Sequence, residues 1–212
     1  MLGIKKTKMA RGTASRGDTL IEVLFAITVL SAAVVSSLAI MNQGTQAATQ
    51  SLETTLVRQQ IDAQVDTLRF LNTSYIAAYN DGYAPTTVTT PAEVYYDLIN
   101  GLTVESAPEK FGAAGLTSCP AIPNDSFILS SRSARKVSYD SARFKPASTY
   151  AQVQYASSGN FDRTNGIWIE GYRSKTTAGT GYTDFHVNAC WPSPGQSEPR
   201  TISTIVRLYE PR

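Results

Sequence analysis

"RGDTLIEVLFAITVLSAAVVSSLAIM", residues 16–41, decides how the rest of the chain is read. From Thr19 to Met41 the only charge is Glu22. Wound as an α-helix at 1.5 Å per residue, that stretch spans roughly 34 Å, enough to cross a hydrocarbon layer of about 30 Å. Lys5, Lys6, Lys8, Arg11 and Arg16 precede it, and all 17 acids lie at Asp18 or later. A basic flank before an apolar span keeps the N-terminus cytoplasmic and exports the remainder of the chain. A cleaved secretory signal accounts for the export, with "SSLA" at 36–39 as its cutting site, but its apolar core is usually shorter. A plain signal anchor accounts for the length. Neither accounts for Glu22, because a carboxylate facing lipid costs about 3 kcal/mol or more.

"RGDTLIEVLFAI" resembles the processing motif of type IV prepilins and pseudopilins, and "TLIEVL" at 19–24 is its most specific part. In that family a basic leader ends in glycine, and a prepilin peptidase cuts before the apolar helix. The new N-terminus is commonly N-methylated, and a glutamate stands fifth in the mature chain. By that resemblance Gly17 precedes the cut, Asp18 becomes the methylated N-terminus, and Glu22 sets the register of assembly. The family usually begins its mature chain with phenylalanine, where this chain has Asp18. The resemblance implies a pilin-like α+β fold, a long N-terminal helix packed on a C-terminal antiparallel sheet. It implies other pilin subunits, the peptidase, the cytoplasmic membrane and an assembly platform as partners. It also implies a single-pass precursor that enters an extracellular filament, as a minor pilin or as a subunit of a secretion or competence pseudopilus. A membrane-anchored binding module that never polymerises is the alternative from another class.

The helical pattern resumes after "MNQGTQAATQ". In "SLETTLVRQQIDAQVDTLRFLN", residues 51–72, Leu52, Leu56, Val65, Leu68 and Leu71 recur at mostly helical spacing. One helix is therefore predicted from about Thr19 to about Tyr79, weakened at Gly44. It is apolar all round in its first half and amphipathic in its second. The expected parts are a leader at 1–17, a membrane or filament-core helix at 18–41, its amphipathic continuation at 42–80, and a head at 81–212. "PAEVYYDLINGL", residues 91–102, starts on proline and stops at glycine, which suits a short helix. Residues 103–149 are poorly periodic and read as loops, apart from a brief strand at "FILSS", 127–131. "TYAQVQYA" at 149–156, "GIWIEGYRS" at 166–174, "YTDFHVNACW" at 182–191 and "STIVRLYE" at 203–210 read as strands of one antiparallel sheet. The run from 167 to 210 also resembles the C-terminal region of minor pilins from small-genome bacteria.

With the five leader cations set aside, 14 basic residues face 17 acids, so total charge does not point to nucleic acid. Cys119 and Cys190 are the only cysteines. In an exported chain such a pair reads as one disulfide; two buried thiols are the alternative.

No catalytic residue, metal site or cofactor motif can be picked out. His186 is the sole histidine and sits in an alternating strand, where it reads as structural. No zinc spacing, Walker loop or dinucleotide fingerprint occurs, so an enzyme is not expected. "SRSARKVSYDSARFK", 131–145, gathers Arg132, Arg135, Lys136, Arg143 and Lys145 around Tyr139 and Phe144. A patch of that kind suits DNA or an acidic neighbouring subunit, and otherwise is a solvated face. Trp168, Tyr172 and Trp191 offer an adhesive surface for a ligand if exposed, and core if buried.

Overall fold

A computed structural model describes residues 18–80, 89–102, 117–174 and 181–210. The leader, with Gly17, lies outside them. The chain divides into two compact units, one ending at Ala47 and one running from Ala48 to Arg212.

Helix α1, Asp18–Asn80, is continuous through Gly44. Its first part, in the N-terminal unit, is helical and solvent-exposed from Thr19 onward, with every large apolar side chain from Leu20 to Met41 more than half exposed. It is the one helix, among the described residues, long and apolar enough to cross a membrane.

The second unit is α+β. From Ala48 onward α1 lays Val57, Ile61, Val65, Leu68 and Leu71 into the core, steps of three and four that form one stripe. Leu52, expected in that stripe, is 59% exposed, and Glu53 beside it is buried. Helix α2, Pro91–Asn100, begins at N-cap Thr90. Glu93 Oε2 accepts from the Thr90 amide at 2.7 Å, and the Thr90 hydroxyl accepts from the Glu93 amide. This reciprocal box fixes the helix start, and Tyr95, Leu98 and Ile99 are its buried side.

The described residues then form eight strands in two sheets: β1 Phe127–Ser130, β2 Arg135–Ser138, β3 Phe144–Lys145, β4 Gln152–Tyr155, β5 Phe161–Asn165, β6 Ile167–Ser174, β7 Tyr182–Trp191 and β8 Arg200–Tyr209. The larger sheet has the order β2-β1-β6-β7-β8 and is antiparallel throughout. Its inner face carries Ile167, Ile169, Phe185, Val187, Ala189, Val206 and Leu208, all buried with the α1 stripe in one core.

The single-sheet expectation is corrected. β4 belongs not to the main sheet but to a second one of order β3-β5-β4, in which β3 and β5 run parallel. The stretch read as loops before residue 149 holds β2 and β3 as well as β1. Gly166, at φ +68°, is the corner between the sheets. Its amide donates to Lys145 and its carbonyl accepts from Cys190. A side chain there would collide with the Cys190 carbonyl, so only glycine fits.

Candidate functional site

In an apolar medium each polar group needs a partner. Thr28, Ser31, Ser36 and Ser37 satisfy it within the helix, donating to carbonyls three or four residues back at 2.7–2.8 Å. Glu22 does not. Its carboxylate is exposed and has neither hydrogen bond nor ion pair among the described residues. Glu22 thus stands unpartnered four residues beyond Asp18, the first residue of α1.

In the second unit α1 is fastened by polar side chains on its buried side. Glu53 accepts from Trp191 Nε1 at 3.2 Å and Ser193 Oγ at 3.0 Å. Arg200 reaches Gln50 Oε1 at 2.8 Å and Thr54 Oγ1 at 3.2 Å. Gln60 Oε1 accepts from the Val153 amide of β4. Gln64 is buried and bridges β1 twice, accepting from the Leu129 amide and donating to its carbonyl, both at 2.9 Å. β1 pairs with β6 only at Phe127 and Ile169. Where the two strands part, the Gln64 amide stands in for the missing ladder. Polar residues on an amphipathic helix read as solvent-facing, so sequence reasoning missed this set; the only signal was their helical spacing in step with the buried stripe.

Cys119 and Cys190 are bonded, with Cα atoms 5.7 Å apart across a sequence separation of 71. The bond ties the loop before β1 to the end of β7. Clefts of about 410 and 330 Å³ flank it and share Cys119 and Pro146. Pro192, Glu198 and Pro199 line the larger, Tyr139, Phe144 and Trp168 the smaller.

The five basic residues do not act as one free patch. Arg132 stacks 4.6 Å from the Tyr155 ring centre and Lys136 lies 5.7 Å from that of Phe127. Arg143 lies over Phe161 and donates to the Phe161 and Asp162 carbonyls, each at 3.2 Å. Arg135 on β2 and Lys145 on β3 remain exposed. A stacked guanidinium keeps its charge but has already committed part of its binding capacity to the fold. Trp168 and Trp191 are core, at 1% exposure each, so the aromatic surface reduces to half-buried Tyr172.

On the outer face of the main sheet, Glu170 accepts from Trp168 Nε1 and the Tyr172 hydroxyl, both at 2.6 Å. His186, opposite Glu170 across the ladder, meets the Tyr172 ring edge-on at 5.1 Å. Partial burial holds His186 below its ordinary range, against the pull of Glu170 and Asp184. Among the described residues no three of His, Cys, Asp and Glu come together as metal ligands.

The chain matches no known protein family, no curated protein and no solved structure.

Proposed function

We propose that the chain is a structural subunit of a type IV pilus or a related filament, a minor pilin in kind, cut after Gly17 and assembled through the apolar part of α1. One observation carries the reading: Glu22 is an unpartnered carboxylate on a fully exposed apolar helix, five residues into the chain that such a cut would leave. Cleavage frees an α-amine at Asp18. In a bundle of these helices the amine of one subunit meets Glu22 of a neighbour. At 4 Å and an effective dielectric near 20 the attraction is about 4 kcal/mol, enough to offset much of the desolvation when geometry is good. An unpaired Glu22 is costly in lipid, so the bundle is driven to the one register that pairs it. A prepilin peptidase, an assembly platform in the cytoplasmic membrane and sibling subunits are the partners this mechanism requires. The second unit then faces outward, with its disulfide suited to an oxidising exterior. The same mechanism serves a secretion or competence pseudopilus, and a gene neighbourhood holding secretion-channel components separates that case.

Sequencing the N-terminus of the native protein is the direct test. A chain beginning at Asp18 supports the reading; one beginning at Met1 or Ile40 ends it in favour of an anchored module or a secreted one. Glu22→Ala is expected to leave export unchanged and to lower incorporation into filaments. Incorporation at the unmodified level would remove the register argument.

A further inference from the structure

We propose that the outer edge of β8 is a docking edge for β8 of a second copy of this chain, antiparallel and centred on Ile205. The ladder itself shows which backbone groups are offered. The Glu210 amide donates to Gly181, and bonded and non-bonded pairs alternate along an antiparallel ladder. The β7–β8 register runs unbroken from Tyr182–Tyr209 to Trp191–Arg200. Thr201, Ser203, Ile205, Arg207 and Tyr209 therefore turn their amides and carbonyls away from β7. The Tyr209 carbonyl takes a bond from Asn72 Nδ2 at 3.2 Å. The others have no partner among the described residues.

The two edges of the sheet are treated differently. β2 spans four residues and includes Arg135 and Lys136; shortness and charge are what block a further strand. β8 spans ten residues without proline, lysine or a break in register. Its one charge on the outward set is Arg207, already held by both Asp184 oxygens at 2.8 Å and stacked 4.0 Å from the Tyr182 ring centre. Ile205 and Tyr209 are 61% and 57% exposed. A long, open, apolar-studded edge is a template for pairing.

The sequence of that edge complements itself. About Ile205, a twofold axis sets Ile205 against its own copy, Ser203 against Arg207, and Thr201 against Tyr209. No like charges face one another, and an apolar pair sits at the centre. Each of these facing pairs is of the bonded kind, with Cα atoms about 5.5 Å apart and Cβ atoms at about the same distance, within reach of a short thiol-to-thiol cross-linker. This pairing is independent of the filament reading.

Full-length protein in detergent, with its native disulfide intact, gives the test. With a short bis-maleimide cross-linker Ile205→Cys is expected to run as a covalent dimer. Ser203→Cys and Arg207→Cys are expected to cross-link when mixed, and Ser203→Cys alone is not. Thr204→Cys, whose backbone points to β7, is the control and stays monomeric. The proposal is overturned if Ile205→Cys, folded by circular dichroism, stays monomeric, even where the protein associates through its apolar helix. A self-linking Ser203→Cys, which reports another register, overturns it equally.

Discussion

Gln64 shows how much one side chain carries. It supplies both ladder bonds that Leu129 cannot obtain from β6. Gln64→Leu keeps the volume but leaves a buried amide and a buried carbonyl alone, each at about 1–3 kcal/mol. A loss of about 2–6 kcal/mol is expected in denaturant unfolding of the detergent-solubilised protein. Thr183 is the opposite case: its hydroxyl is buried with no partner among the described residues. Thr183→Val removes that group at nearly constant shape, so the unfolding free energy from the same curve is expected to hold or rise, by up to about 1 kcal/mol. Neither residue can be assigned from sequence. Glutamine at 64 looks like the wet side of a helix, and threonine at 183 looks like any strand residue. Glu53 misleads in the same way, because the indole and hydroxyl that draw it inward come from Trp191 and Ser193, 138 and 140 positions later.

Elements are legible where they are long and periodic. α1, α2, β6, β7 and most of β8 emerge from spacing, caps and alternation. Of the second sheet only β4 does, and the reason is physical. β3 has two residues, and β5, "FDRTN", offers no alternation of apolar and polar positions. Their ladder joins Phe144 to Thr164 and Lys145 to Asn165, a pairing across 20 positions that local patterning does not carry. The basic run at 131–145 is visible in the sequence, and so are the strands that carry Tyr155 and Phe127, but its partition among those rings and Phe161 of β5 depends on how the strands come together. Gly44 is the weak point expected within α1, and the helix passes through it without a break. A Cβ added there meets nothing within 4 Å. Gly44→Ala is expected to stabilise the helix by about 1 kcal/mol, seen as slower amide exchange around residue 44.

For the molecule as a whole the main covalent constraint is Cys119–Cys190. Closing a loop across a separation of 71 residues restrains the unfolded chain by about 4 kcal/mol in the chain-entropy account. Replacing both cysteines with alanine is expected to lower unfolding stability by up to that amount, and reduction of the native protein by a similar one. An equal midpoint with and without reductant would show that the core alone holds the second unit together. Two cysteines behind an export segment are enough to expect the pairing; that it clamps the end of β7 beside the corner glycine needs the fold.

The same bond sets a limit on mechanical extension. A molecule pulled by its two ends can lengthen only through the chain before Cys119 and after Cys190. The enclosed stretch takes in β1 to β6 and nearly all of β7 and withholds roughly 250 Å of contour at about 3.5 Å per residue. Traction therefore unravels α2 and peels β8, while the strands between the two half-cystines stay short of full reach until a reductant arrives.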